Sequence, residues 1–231
     1  MSPSKDSNPP ALIIDRTDAY AIIQLNAPPI NPLGDAQIRG LQSTIAELSE
    51  DKTIRAIVIR GAASVSEASK KTRVNFSVGA NLKEQDLAAE VGPAEFVMRR
   101  IELCNQIEAC ETPVIAAIQG YCLGGGLELA MACHYRVAEE NAILSLPEID
   151  LGCAPMWSGA SRVLRLVGRA RALELLLLGE KIPASKALQF GLINQSYADD
   201  EFEYRISKLA QTFAEKAPLA MAAMIRVVNH S

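Results

Sequence analysis

The stretch Val114-Ile-Ala-Ala-Ile-Gln-Gly-Tyr-Cys-Leu-Gly-Gly-Gly-Leu-Glu-Leu-Ala-Met-Ala-Cys133 decides how the rest of the chain is read. Val114–Ile118 is apolar and β-branched, the composition of a buried strand. Leu127–Met131 are good helix formers, so a strand, a glycine turn and a helix N-terminus meet at Gly124-Gly125-Gly126. A helix N-terminus leaves backbone N–H groups without intrahelical partners and concentrates positive dipole there. Three glycines also let another molecule come close to the backbone. Such a place suits an anion or a polarised carbonyl oxygen, and a carboxylate, Glu128, stands beside it. It is not a Walker-type phosphate loop, because no Gly-Lys-Ser/Thr follows. Nor is it G-x-G-x-x-G, because Leu129 takes the third glycine place. Taken alone, the run reads equally well as a tight turn with Glu128 as a first-turn helix charge.

Composition narrows the function classes. The chain has 231 residues, 49% of them hydrophobic, enough for one large domain or two small ones around a sizeable core. A net charge of −4 gives no electrostatic footprint for nucleic acid. A negatively charged ligand must therefore meet local Lys or Arg. No apolar run is long enough to cross a membrane as a helix. Met1–Pro10 is polar, lacks the apolar stretch of a signal peptide, and is expected to be a flexible tail. Cys104, Cys110, Cys122, Cys133 and Cys153 are odd in number, show no C-x-x-C and mostly stand in apolar surroundings. They read as reduced core residues of a cytoplasmic protein. With His134 and His230 the only histidines, no metal site is expected, and no G-x-S-x-G elbow supports a serine triad.

The flanking chain alternates strand and helix. Ala11–Ile14 and Tyr20–Leu25 read as a hairpin turning at Arg16-Thr17-Asp18, and Asn26–Pro32 as a proline-rich loop. Ile38, Leu41, Ile45 and Leu48 recur at helical spacing over Asp35–Glu50. Ala56–Arg60 is a buried strand, Gly61–Arg73 an exposed loop, and Asn75–Glu84 a short strand followed by glycine and a helix start. Pro93–Cys110 predicts a long helix, Tyr135–Ala138 and Ala142–Ser145 short strands, and Leu146–Pro155 a loop carrying Glu148. Helices then dominate: Gly159–Val167, Arg171–Leu178, Ser185–Phe190, Glu201–Lys216 and one after Pro218. The pattern is that of a single α/β domain over residues 11–231.

Four segments together resemble the crotonase superfamily, best known for enoyl-CoA hydratases and isomerases. They are Phe76-Ser-Val-Gly-Ala80, Ala116–Ala130, Leu146-Pro-Glu-Ile-Asp-Leu-Gly152 and Gly179–Leu192. The resemblance implies a spiral of β-β-α turns with C-terminal helices, homotrimers or hexamers built as paired trimers, and an acyl-CoA substrate. Coenzyme A comes as part of that substrate and no separate cofactor is implied. In the family the thioester oxygen lies between two backbone N–H groups, which by motif position are those of Ala80 and Gly125. Ser77, Val78, Gly79, Asn81, Leu82, Gly124 and Leu151 then line the substrate, and Lys83 serves as a point charge for the CoA phosphates. Lys70, Lys71 and Arg73 are an alternative source of positive charge for those phosphates.

Glu128 and Glu148 occupy the places of the two hydratase acids. Hydration of a 2-enoyl thioester needs a base for water and an acid for the α-carbon, and two carboxylates can divide these tasks. The expected division has Glu128 activating the water and Glu148 delivering the α-proton. A single acting carboxylate, Glu148, would instead shuttle a proton between α and γ carbons, an isomerisation. Other reactions on a different acyl-CoA, decarboxylation or hydrolysis, and a non-catalytic acyl-CoA-binding subunit are the remaining alternatives. The sequence departs from the family at Pro155-Met156-Trp157-Ser158-Gly159, where hydratases commonly continue Gly-x-Gly-Gly. Met156 and Trp157 either pack into a reshaped loop or narrow the acyl pocket. Crotonases also usually run through further C-terminal helices beyond the equivalent of Asn229-His230-Ser231, which implies either more chain after residue 231 or a site closed differently.

Overall fold

The computed structural model describes residues 9–65, 72–84 and 90–230. Most of the expected tail, and Lys70 and Lys71, lie outside the described residues. Three strands next to one another in sequence and space start the main sheet: β1 (Leu12–Arg16), β2 (Tyr20–Leu25) and β3 (Ala56–Gly61). β6 (Val114–Ile118), β8 (Tyr135–Glu139) and β11 (Gln195–Tyr197) complete it in the order β1-β2-β3-β6-β8-β11. β1 and β2 form an antiparallel hairpin, and every other pairing in this sheet is parallel. β6 is buried at all five positions, as a strand covered on both faces must be. Its hydrophobic run is therefore continuous rather than alternating.

A second sheet stands against the first. It joins β10 (Ile182–Pro183), β9 (Ile143–Ser145) and β7 (Tyr121–Leu123) in that order. The chain alternates between the two: β6, β7 and helix α3 (Gly125–Ala132), then β8, β9 and helix α4 (Gly159–Leu178), are two successive β-β-α turns. The mixed α/β spiral with C-terminal helices is thus the expected fold class. Helices α1 (Asp35–Glu50) and α2 (Pro93–Ala109) pack their apolar stripes into the core, and α5 (Ala184–Phe190), α6 (Phe202–Ala214) and α7 (Pro218–Asn229) follow α4. The main core contains Ile23, Leu41, Ile59, Leu103, Ile118 and Leu129, and a smaller cluster around Val58, Val137 and Ile206 seats α6 under the sheet.

The structure corrects the sequence reading in several places. β1 runs on to Arg16, which pairs with Ala21, so the turn begins at Thr17, whose hydroxyl accepts from Tyr20 N–H. Part of the Gly61–Arg73 segment is not loop: β4 (Ala63–Val65) pairs antiparallel with β5 (Thr72–Val74). Three-residue strands are too short for alternation to be visible. Asn75–Val78 makes no strand of its own but holds single bridges, Ser77 to Cys122 and, further on, Ala80 to Leu33. Leu82–Glu84 and Pro147–Leu151 are 3-10 turns, the second ending at left-handed Gly152. The two helices expected within Gly159–Leu178 are borne out: helix α4 is two helical runs that meet at Gly168, whose φ of 75° and ψ of 166° leave the helical region.

Candidate active site

Two turns approach each other edge to edge. Leu123 N–H donates to Ser77 O and Ser77 N–H to Tyr121 O, at 2.9 and 3.0 Å, fixing the Ser77–Ala80 segment alongside β7. Ser77, fully buried, accepts Gly79 N–H on its hydroxyl at 3.0 Å. Gly79 has φ of 95°, and a Cβ there would lie 2.9 Å from Gly125 N. A Cβ on Gly126 would lie 2.7 Å from Ser77 O. Backbone contact this close admits only glycine on either side.

The surrounding bonds use the N–H groups of Val78 (to Ile30 O), Gly79, Asn81 (to Leu33 O), Gly124 (to Ser145 O) and Glu128 (to Gly124 O). The N–H groups of Ala80 and Gly125 have no partner among the described residues. Gly125 is the first residue of α3, where N–H groups carry the positive end of the helix dipole. The two amides expected from sequence are therefore close together and unspent.

Each nearby glycine makes room for one side chain. A Cβ on Gly124 would sit 2.9 Å from Glu148 Oε1, one on Gly125 2.6 Å from the Trp157 ring, and one on Gly159 2.6 Å from Glu128. Glu128 is 2% exposed, and its Oε1 accepts two backbone N–H bonds of 2.8 Å, from Trp157 and Gly159. Glu148 is buried at the start of the Pro147–Leu151 turn, and its Oε2 has no hydrogen-bond partner. Burial and the facing Glu148 push Glu128 up to about 7, against the two N–H donors and Arg162, which favour the charged form. Burial likewise raises Glu148. The charge of Glu148 is thus second only to burial among the causes that raise Glu128.

The loop departing from the family pattern divides in two. Met156 is half exposed at 52%, while Trp157 is buried at 4% and lies against Gly125. Arg162 holds this loop: its Nη1 donates to Trp157 O at 2.8 Å, and its other nitrogens reach Glu108 and Asn105. Leu82, Lys83 and Leu151 lie on the surface, Lys83 N–H bonding Asn81 Oδ1. Asn81 in turn donates to Glu84. Sequence reasoning missed Arg162, Gly159 as the seat of Glu128, and Arg100, which is 1% exposed beside Trp157. A signal for Arg100 existed, because it falls on the helical stripe Phe96, Arg100, Leu103, Ile107. Two surface clefts, of about 230 and 710 Å³, lie elsewhere and include neither glutamate nor Gly125.

The fold and the arrangement of turns are those of the crotonase superfamily. The chain belongs to the enoyl-CoA hydratase/isomerase family, whose family model matches residues 15–231. It is 38% identical over 210 residues to a probable enoyl-CoA hydratase of Bacillus subtilis, covering 90% of this chain and 78% of the relative. It is also 29% identical to a short-chain-enoyl-CoA hydratase of Clostridium acetobutylicum, covering 94% of this chain and 80% of that protein. Among solved structures, an enoyl-CoA hydratase from Bacillus anthracis superposes with a TM-score of 0.86 at 30% identity, over 95% of this chain and 82% of that one.

Proposed function

We propose that the protein hydrates the 2,3 double bond of a 2-enoyl-CoA thioester. The observation that carries this reading is the juxtaposition of the free Ala80 and Gly125 amides with the buried Glu128–Glu148 pair. The thioester oxygen sits between the amides, which carry enolate charge without reorganising, and removing one such donor costs about 10²–10³ in rate. Glu128, held by two N–H donors, keeps Oε2 for the attacking water and takes its proton. Glu148, with an oxygen that no donor satisfies, delivers the α-proton. This division of tasks needs Glu128 ionised and Glu148 protonated when substrate binds. Lys83, exposed at the margin, meets the CoA phosphates, and the substrate brings the only coenzyme.

Isomerisation of a 3-enoyl-CoA is the second reading. It is favoured by the unpartnered Glu148 Oε2, since a single free carboxylate suffices to take a proton from the α carbon and return it at the γ carbon. The test is direct. Purified protein given crotonyl-CoA and longer 2-enoyl-CoAs removes the conjugated thioester absorbance if it hydrates. Given a 3-enoyl-CoA, an isomerase makes that absorbance appear. Loss of neither substrate overturns both readings. Association as a trimer or paired trimers belongs to the same proposal, supported by the exposed apolar side chains of α4 and α7 such as Leu177, Leu178, Leu219 and Met224.

A further inference from the structure

Arg100 is the largest fully buried side chain of the described residues, at 1% exposure. A buried guanidinium ordinarily meets a carboxylate, because an uncompensated charge in a dry place is costly. Arg100 has none. Among the described residues its one hydrogen bond runs from Nη1 to Phe96 O at 2.6 Å, and its Nε is buried without a partner. A guanidinium has five N–H donors, so four are unspent. The two acids that attract it are already committed. Asp35 pairs with Arg39 and Arg99, and Glu84 accepts Asp35 N–H and the Asn81 amide. Burial pulls Arg100 below the ordinary arginine range.

Its position connects it to the site. The guanidinium lies between two rings, 3.4 Å from the Phe96 centroid and 5.8 Å from that of Trp157. The outer edge of the same indole touches Gly125, the residue whose amide is free. One helical turn further along α2, on the same face, stands Cys104, which is close enough to Glu128 to be raised by its charge. Cys104 is buried beside Arg162 and Glu128, so this face of α2 stands next to Glu128. One indole thus touches Gly125 with its edge and has Arg100 over its ring, a guanidinium that bonds no carboxylate among the described residues.

Resting on the thioester reading above, we propose that the preferred substrate is a short enoyl-CoA whose acyl chain ends in a carboxylate, and that Arg100 binds that carboxylate. The planar fork suits a carboxylate through paired N–H bonds, and Trp157 and Phe96 hold its faces so the fork is preset. An acyl chain ending in methyl leaves the same donors buried and unpaired, and it is rejected for that reason.

The test measures binding without turnover, by calorimetry with two saturated thioesters that share CoA: glutaryl-CoA, which ends in a carboxylate, and butyryl-CoA, which ends in methyl. Wild-type protein is expected to bind glutaryl-CoA at least about tenfold more tightly, the scale of one charge-assisted bond. In Arg100→Met that ratio is expected to fall to within about twofold. Arg100→Lys, which keeps the charge but not the fork, is expected to retain part of it, and it supplies the comparison if the methionine variant does not fold. Equal or weaker binding of glutaryl-CoA by wild type overturns the proposal, as does a ratio that survives in Arg100→Met or is undiminished in a folded Arg100→Lys. Absence of binding by both thioesters overturns the thioester reading itself. Binding with the expected ratio but no hydration of 2-enoyl-CoAs contradicts the hydratase reading alone.

Discussion

At the residue scale, the informative groups are those placed against ordinary physical preference. Glu128 is a carboxylate kept in a dry interior with a second carboxylate facing it, and the folded protein holds its proton more tightly than the unfolded chain does. A raised carboxylate subtracts stability as pH rises from its unfolded value near 4.5 to its folded value near 7. That difference corresponds to on the order of 3 kcal/mol at pH 8 and to almost nothing at pH 4. Glu128→Gln keeps an acceptor oxygen for the Trp157 and Gly159 N–H groups while removing the charge. It is therefore expected to be more stable than wild type at pH 8 by about 1–3 kcal/mol, with no gain at pH 4, in urea unfolding at the two pH values. Equal effects at both would show that Glu128 is ionised normally in the folded state. Glu128 and Glu148 were legible as candidates because their motifs are local, whereas Arg100 was marked only by its place on the apolar stripe of α2, and that it bonds no carboxylate among the described residues shows only once the chain is packed.

At the element scale, the glycine turn and the loop before α4 act as a matched pair. Gly125 can only be glycine because the indole of Trp157 occupies the place a Cβ would take. Gly125→Ala is expected to push the ring or the turn aside, destabilising the protein by about 1–3 kcal/mol and lowering hydration at least about tenfold. Thermal unfolding and the absorbance assay together read both effects. The opposite sign is expected at Ser158. It precedes α4 with φ of 68°, in the left-handed region, and its side chain makes no capping bond. Ser158→Gly relieves that conformation and is expected to raise stability by about 1 kcal/mol with the fold unchanged. Long elements with strong periodicity were readable from the sequence: α1 matches its expected span, and β2 and β3 follow their apolar runs. Most short ones were not. β9 was read within Ala142–Ser145, but β4, β5, β7, β10 and β11, of two or three residues each, were missed, because a strand that short is defined by the strand beside it rather than by its own residues.

At the scale of the whole molecule, the spiral explains why distant segments make one site. Each β-β-α turn sends one strand to the large sheet and the next to the small one, so β7 runs beside both Ser77 and β9. Residues 77–80, 124–128, 148 and 157–159 meet because that path brings the ends of β7 and β9 together. The fold class could be inferred from the order of motifs, but the packing of Trp157 against Gly125 and the bonds to Glu128 depend on contacts some thirty residues apart that no local pattern records. On the outer surface, α4 and α7 leave Leu177, Leu178, Leu219 and Met224 more than half exposed. Large apolar side chains left in water on two helices favour burial against other copies of the chain. Light scattering coupled to gel filtration is expected to give three or six times the 24.9 kDa chain mass, and a monomer at micromolar concentration would contradict the trimer reading.

The central claim is that two backbone amides hold a thioester while Glu128 and Glu148 add water next to it. Its most direct measurement is the rate of absorbance loss with a 2-enoyl-CoA for wild type, Glu128→Gln and Glu148→Gln, each shown to be folded. The expected result is hydration by wild type and a rate at least about a hundredfold lower in each variant. Hydration at the wild-type rate by either folded variant would contradict it.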